Sequence, residues 1–437
     1  MKVLHLATYD NFGGAARAAF RQHLALREHG IDSQMLVRHK HSNDPDVAVY
    51  SGDRSFFSRA SRVLRRTWID YLEKQSRSPG NGKIVCGLTD PRADLLRNVN
   101  HEIADADVIN FHKVEHFADL PALLRHLPPS KPVVITLHDL SPVTGGCDYP
   151  GSCRGFEMSC GRCPIIDSNC AFDYSRRILR MKRSAYSTRS PKRFVFVANS
   201  YWSAKMAQSS SLVGSSRVEV IHYGLDQNVY SPQKRREARE ALGIALNEPV
   251  LLFAAHDLNL PHKGGRYLRE ALRNVRCELP IRLLTMGGGH FQVGSGYLHT
   301  HFGQVEGDEL QALLYRTADV SVIPSLEEAF GQTALEAVAC GAVVAGFNVG
   351  GITDIVECGL NGLLVERQDA RALSEAIQKL LGDEALRQRW RNSCEAWVRE
   401  RFSYSKNSAA YIALYGSLLN ANPQNQNLGS SEHQRRL

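Results

Sequence analysis

Long apolar runs are missing from this sequence. Its apolar runs, such as VVIT and LLFAA, fall far short of the ~20 residues a helix needs to cross a bilayer. The opening stretch MKVLHLATYDNF has neither a long apolar core nor a small-residue cleavage site, which argues against a secretory signal. The expected location is therefore cytoplasmic, with peripheral contact at the inner face of the cytoplasmic membrane left open. No short-period repeat recurs along the chain. Nor is there a G-x-G-x-x-G dinucleotide fingerprint: Gly287, Gly288 and Gly289 follow an expected strand, but no helix follows them. Acidic residues are absent between Ser175 and Arg193.

What is present is ordinary in bulk and uneven in charge. The chain has 437 residues, 43% hydrophobic and 22% charged, enough for two or three domains with cores of their own. The net charge of +8 collects in the first half. Arg59, Arg62, Arg65, Arg66 and Lys74 lie between Arg54 and Arg77, against Asp70 and Glu73. Interleaved Phe56, Phe57, Val63, Leu64, Trp68, Ile69 and Leu72 make that run read as a basic amphipathic helix. The acid-free stretch carries Arg176, Arg177, Arg180, Lys182, Arg183, Arg189 and Lys192. Such a surface suits an anionic membrane or a phosphorylated acceptor; a solvated helix face packed on its domain is the plain alternative. Nucleic acid is not an expected partner.

Apolar runs and glycine turns alternate from the start. KVLHLAT (2–8) reads as a strand, Gly13 and Gly14 as a turn, and AARAAFRQHLALREHG as a helix stopped by Gly30, followed by the strand SQMLVR. Strands are expected at 108–112, 133–138, 194–200 and 218–224, then again at 250–255, 282–287, 320–325 and 343–347. Helices are expected at 201–209, 264–276, 307–317, 333–341, 369–381 and 383–400. This is α/β patterning in two successive halves, each built on a parallel sheet. In such sheets ligands bind beyond the carboxyl ends of strands, so two sheets facing one another would make a cleft.

The most informative stretch is IPSLEEAFGQTALEAVACGAVVAGFNVGG, residues 323–351. Glu328 falls in a loop beyond a strand, and Glu336 falls near the first turn of the next helix, with Phe330 and Gly331 between them. Helix starts offer unpaired N–H groups to anions, and a carboxylate can take both hydroxyls of a ribose. A solvated glutamate and a capping glutamate would give the same spacing.

With these residues in view, the sequence resembles glycosyltransferase family 4, the retaining GT-B enzymes, of the kind found in bacterial polysaccharide biosynthesis. The resemblance rests on Pro324, Ser325, Glu328, Phe330, Gly331, Leu335, Glu336, Ala337, Ala339, Gly341, Val349, Gly350, Gly351, Asn361, Gly362 and Val365. Upstream it rests on Val220, Ile221, Gly224, Asp226, Tyr230 and Pro232. It implies a GT-B fold, two Rossmann-like domains facing across a cleft. The domains implied are an acceptor-side domain at 1–225, with a cysteine-rich insertion at 145–170, and a donor domain at 226–400. A helix at 401–421 would cross back to the first domain, and a polar tail at 422–437 would be disordered.

The resemblance also implies roles. Glu336 would bind the donor ribose and Glu328 the transferred sugar, with the Phe330 and Gly331 amides near its hydroxyls. Lys263, before Gly264, would neutralise the donor diphosphate and stabilise the departing nucleotide. Glu328, Lys263 and His138 are thus the catalytic candidates. Gly14 and Gly288 would face the phosphates and the base. His138 and Asp139, with His112, would line the acceptor side. The arginine that the family usually places before this lysine is missing, and Arg266 is the substitute considered. The donor would be a UDP- or GDP-linked sugar and the acceptor a lipid-linked glycan in surface polysaccharide synthesis. No metal is expected at the diphosphate, since no suitable Asp-x-Asp loop is present. Other GT-B chemistry on a soluble small molecule, or a non-catalytic scaffold of the same fold, remain alternatives.

Four of the ten cysteines cluster. Cys147, Cys153, Cys160 and Cys163 are spaced C-x5-C-x6-C-x2-C, and the C-x2-C half is a common turn for two ligands of one zinc. A structural zinc is the expectation, with free thiols as the alternative.

Overall fold

Runs of valine, isoleucine, leucine and phenylalanine, four to eight residues long and buried on both faces, set the strands. The computed structural model describes residues 1–52, 56–75 and 88–420. They divide into two compact units. One holds the chain up to Gly224 together with the segment from Asn407 onward, and the other holds Leu225–Lys406.

The first unit contains strands β1 (Lys2–Tyr9), β2 (Asp32–His39), β3 (Val47–Val49), β4 (Val108–Phe111), β5 (Val133–Leu137), β6 (Phe194–Ala198) and β7 (Arg217–Val220). Its helices are α1 (Gly14–Glu28), α2 (Phe56–Gln75), α3 (His101–Asp105), α4 (Leu120–His126), α5 (Tyr174–Tyr186) and α6 (Tyr201–Ser209). The sheet order is β3-β2-β1-β4-β5-β6-β7, and the pairs are parallel. Side chains alternate between two faces, as strand geometry requires. Leu4, Leu6, Ile109, Phe111, Ile135 and Phe196 enter one core layer. Val3, Val108, Val134, Val195 and Val197 enter the other.

The second unit contains β8 (Val250–Asp257), β9 (Ile281–Gly288), β10 (Tyr297–His301), β11 (Val320–Ile323), β12 (Val343–Phe347) and β13 (Gly362–Val365). Helices α7 (Arg235–Ala241), α8 (Gly265–Leu272), α9 (Asp308–Thr317), α10 (Gln332–Ala339), α11 (Ile352–Ile355), α12 (Ala370–Gly382) and α13 (Glu384–Phe402) surround it. Its order is β10-β9-β8-β11-β12-β13, again parallel. Asp319, just before β11, ties helices to this sheet. It binds Arg235 at 2.6 Å, Arg239 at 2.8 Å and the Val250 amide at 2.9 Å. A carboxylate buried among guanidinium groups and an amide is satisfied, and removing any one partner would be costly.

The last helix, α14 (Tyr404–Asn420), packs from Asn407 onward on the first unit. Tyr411, Leu414, Tyr415 and Leu418 join the valine layer of that sheet, each worth about 1.5–3 kcal/mol of burial. Polar bonds set its register. Asn110 Nδ2 and Gln22 Nε2 donate to the Tyr415 hydroxyl at 2.9 and 3.1 Å, and Thr136 Oγ1 lies 3.2 Å from the Tyr411 hydroxyl. The expected tail at 422–437 lies outside the described residues, as do Arg54 and Arg77 of the first basic run.

Each basic run contains a helix, α2 or α5, and the two spend their charge differently. In α2 the apolar side chains Val63, Leu64, Trp68 and Tyr71 are exposed, while Ile69 is buried. In α5 Lys182 is buried, with Nζ hydrogen-bonded to the Ser141 and Thr144 carbonyls. Arg189, just beyond it, donates to the Leu127, Pro128 and Lys131 carbonyls. Lys182 and Arg189 of the acid-free stretch therefore hold loops in place, while Arg177, Arg180, Arg183 and Lys192 are exposed.

Candidate functional site

In each sheet the strand order reverses direction once, between β1 and β4 in the first unit and between β8 and β11 in the second. Loops leaving the two strands at such a reversal diverge to opposite faces and open a crevice at their carboxyl ends. The chemistry-bearing residues gather at these two places.

In the second unit Lys263 follows β8 and Glu328 follows β11, and they meet. Lys263 Nζ lies 2.6 Å from Glu328 Oε2, with both side chains mostly buried. Ser325 Oγ is 3.5 Å from the same carboxylate oxygen. Close backbone contacts align the two loops: the Leu326 amide donates to the His262 carbonyl at 2.7 Å, and the Gly351 amide to the Glu328 carbonyl at 2.9 Å. Two glycines permit these approaches. Gly264 has φ +70°, and a Cβ there would stand 1.7 Å from the Pro324 carbonyl oxygen; Gly350 has φ +53°, and a Cβ would stand 1.9 Å from the Glu328 carbonyl oxygen. No side chain fits either position. Burial and the Lys263 charge hold His262 neutral, its pKa pushed down to about 4.

Gly331 precedes α10, and Phe330 is buried with its ring edge-on to Phe402 at 6.0 Å. Glu336 is the fifth residue of α10, which begins at Gln332, so it lies just past the first turn, near where the spacing had put it. It is 0% exposed and accepts a hydrogen bond from the Tyr315 hydroxyl at 3.1 Å. Gly288 ends β9. Arg266 is turned to its neighbour, with its guanidinium 4.5 Å above the Tyr267 ring.

In the first unit the switch point is lined by imidazoles. His5 lies within β1, His112 follows β4 and His138 follows β5, and their rings form a single file. His5 Nδ1 is 2.9 Å from His112 Nε2, His112 Nδ1 is 2.9 Å from His138 Nε2, and His138 Nδ1 is 2.6 Å from the Tyr223 hydroxyl. Asn199 Nδ2 donates to that hydroxyl at 2.8 Å. Burial holds the rings neutral. The pKa values of His5 and His112 fall well below the ordinary histidine value, and that of His138 falls to about 4.

A neutral imidazole has one N–H, so the file has a direction. His5 Nε2 is buried with no hydrogen-bond partner among the described residues. An orphaned buried N–H is the rarer and costlier state, which assigns the proton to His5 Nδ1. The rings then donate in sequence from His5 to His112, to His138 and to the Tyr223 oxygen. Both nitrogens of His138 are therefore engaged within this unit, and it can bond a ligand only by exchanging one of them.

Asp139 does not join the file. It pairs with Lys113 and accepts from the Ser141 amide at 2.7 Å. Gly14 opens α1 directly after Gly13, whose φ is +82°. The structure thus brings Lys263 to Glu328, and His112 to His138. Glu336 and Asp139 have partners of their own. His5 and Tyr223 were missed in the sequence, since a histidine inside an apolar strand reads as core and nothing local marks its partner 107 residues away. The four clustered cysteines border one pocket, although no three His, Cys, Asp or Glu side chains among the described residues are grouped as around a metal ion.

Comparison with known proteins adds the following. Residues 234–397 match the family described as Glycosyl transferases group 1. Over 226 residues the chain is 31% identical to D-inositol 3-phosphate glycosyltransferase from Xylanimonas cellulosilytica, covering 47% of this chain and 53% of that protein. Over 221 residues it is 33% identical to the protein of the same name from a Nocardioides species, covering 45% and 47%. The chain thus spans about half the length of the curated relatives it matches. Among solved structures, sucrose-phosphate synthase from Thermosynechococcus elongatus is similar over 97% of this chain and 100% of that one, with TM-score 0.66 and 19% identity. Anabaena HepE, solved with UDP and glucose, is similar over 95% and 99%, with TM-score 0.60 and 18% identity. WaaG, titled as a glycosyltransferase involved in lipopolysaccharide biosynthesis, is similar over 94% and 98%, with TM-score 0.60 and 16% identity. The fold is GT-B: two Rossmann-like units, each built on a parallel sheet.

Proposed function

We propose that the protein is a retaining glycosyltransferase that moves a sugar from a nucleotide diphosphate donor to an acceptor. The observation that carries this reading is the Lys263–Glu328 pair at the switch point of the second sheet, inside the segment that matches the glycosyl transferase family. In the proposed reaction the bond from the anomeric carbon to the diphosphate oxygen breaks, and the nucleoside diphosphate leaves with the electron pair. The acceptor oxygen bonds the same carbon on the same face, and its proton passes to the departing phosphate oxygen. Lys263 exchanges Glu328 for the diphosphate and stabilises the charge that develops there, where a buried cation acts most strongly. Glu328, released, is placed to accept hydroxyls of the transferred sugar. Glu336, on α10, takes the ribose hydroxyls in exchange for its bond from the Tyr315 hydroxyl. HepE, solved with UDP-glucose, supports a UDP-linked donor ahead of a GDP-linked one.

For the acceptor we favour a lipid-linked glycan at the inner face of the cytoplasmic membrane, in surface polysaccharide synthesis. Helix α2 supports it: Leu64 is 74% exposed, with Val63, Trp68 and Tyr71 also outward, and Arg66 mostly exposed among them. That mix suits the interface of an anionic bilayer. No helix among the described residues is long and apolar enough to cross a membrane. A soluble polyol phosphate is the second reading, favoured by the name of the relatives in Xylanimonas and Nocardioides.

A panel of nucleotide sugars tested by thermal shift on the intact chain checks the donor. A ligand at a hundred times its dissociation constant stabilises by about 2.7 kcal/mol, so one donor should raise the melting temperature selectively. If none of the panel does so, the transferase reading falls.

A further inference from the structure

We propose that Cys147, Cys153, Cys160 and Cys163 bind one zinc ion as a closed structural site that fastens the loop between β5 and α5 to the first unit. This loop, residues 138–173, has only two single-turn helices, Ser141–Val143 and Gly155–Glu157. Its cysteine-rich portion puts Phe156 into the main core and otherwise adds a small apolar cluster, in which Leu88, Cys147, Cys163 and Ile178 are the buried members. A segment of this length with so little secondary structure needs another constraint to hold one shape.

The four sulfurs supply it. All are free thiols, and all four side chains border a single pocket beside Phe156 and Ile165. Cys160, Gly161 and Arg162 take φ values of 52°, 94° and 47° in succession. Left-handed backbone at Cys160 and Arg162 costs on the order of 1 kcal/mol each and persists only where something over-determines it.

Outside that turn, several amides are directed at sulfur. The Gly155 amide lies 3.4 Å from Cys153 Sγ. The amides of Ile165 and Ile166 donate to Cys163, and that of Gly145 donates to Cys160. Four sulfurs around one pocket are a donor set for a soft cation, and the nearby Lys182 is already committed to the Ser141 and Thr144 carbonyls. A soft dication with tetrahedral preference meets this demand, and zinc is the common one for thiolates alone. Ligation requires the sulfurs to draw in to about 2.3 Å from the ion. As placed they border the pocket without closing on one point. Four thiolates leave no open position, so the ion would be structural.

The test uses the full chain, purified with reductant and without chelator. Elemental analysis should find about one zinc per chain. A mercurial thiol reagent should release it, and cobalt exchanged into the site should show tetrahedral-thiolate absorption. Cys160→Ser should lose the metal, while Cys170→Ser, outside the proposed set, should keep it. Three results would overturn the proposal. One is a metal-free wild-type chain that also takes up no zinc when it is supplied. Another is peptide mapping that finds the four cysteines paired as disulfides. The third is equal zinc in Cys160→Ser and wild type. If the serine variant does not fold, metal content and thiol mapping of the wild type decide. These readouts are independent of sugar transfer, so the site and the proposed function fail separately.

Discussion

At the switch point of the six-stranded sheet the facing side chains are charged and paired; at that of the seven-stranded sheet three neutral imidazoles are filed in a row beside the Lys113–Asp139 pair. Topology puts the two clusters at equivalent places, beyond the carboxyl ends of parallel strands where the order reverses. Their electrostatics differ because the groups they are proposed to meet differ. A diphosphate brings negative charge, and Lys263 is held ready by Glu328 at 2.6 Å. A sugar or acceptor hydroxyl is neutral, and a buried imidazolium beside it would have to be desolvated. The histidine file avoids that by staying uncharged, its rings held by one another and by Tyr223.

The sharpest way to break this contrast is to remove the charge. Lys263→Ala should lower turnover by about 10²–10³-fold, the usual cost of deleting a donor aimed at developing negative charge. Glu328 would then be left mostly buried without its cation, so stability must be measured alongside. A folded variant turning over at the wild-type rate would exclude Lys263 from stabilising the leaving group. Gly264→Ala probes the same loop without touching the charge. The clash with the Pro324 carbonyl should displace Lys263 and cost activity in the same direction.

Glu336 gives the next effect in size. It is wholly buried, and its partner is the Tyr315 hydroxyl. Glu336→Ala should abolish donor binding in calorimetry, and it should also cost about 1–3 kcal/mol because the Tyr315 hydroxyl loses its acceptor. Tyr315→Phe separates the two effects: it removes the hydrogen bond yet leaves the carboxylate. If Glu336→Ala binds the donor as well as wild type, the ribose role is lost and the residue is a core anchor.

Fold and site were legible in the sequence to different depths, for physical reasons. Strands that are apolar throughout announce themselves. The run at 343–347 coincides with β12, and the helix at 201–209 with α6. The strands β3 and β10 were not expected. β3 is three residues long, and β10 (YLHTH) is an edge strand with little apolar content. The Glu328 and Lys263 loops could be found because local glycine, proline and aromatic punctuation surrounds them. Their approach to 2.6 Å could not, since it depends on β8 and β11 being neighbours across 65 residues of chain. The histidine file was half visible. His112 and His138 end strands and invite attention, whereas His5 is hidden in an apolar run. The basic stretch near α5 was legible only in part: Arg177, Arg180, Arg183 and Lys192 are exposed, but composition cannot tell a cation facing solvent from one capping carbonyls, as Lys182 and Arg189 do.

The smallest effect expected is one of pH, and it tests the neutral half of the comparison. In the unfolded chain each histidine takes up a proton near pH 6.5. In the folded chain His138 resists until about 4, and His5 and His112 also lie well below their ordinary value, chiefly through burial. Between those limits the unfolded state binds more protons, so stability falls as pH falls from about 6.5 towards 4. Each neutral ring contributes a slope of at most about 1.4 kcal/mol per pH unit. Asp139 and Lys113 beside His138, and His23 beside His5, contribute charges of their own. The comparison is therefore best made by difference. Denaturant titrations of wild type and His5→Asn at a series of pH values should give a shallower acid slope for the variant. It removes one titrating ring and leaves His112 Nε2 next to an amide that can still donate. Identical slopes would mean that His5 takes up its proton in the folded chain as readily as in the unfolded one, and the neutral state assigned to it would then be wrong.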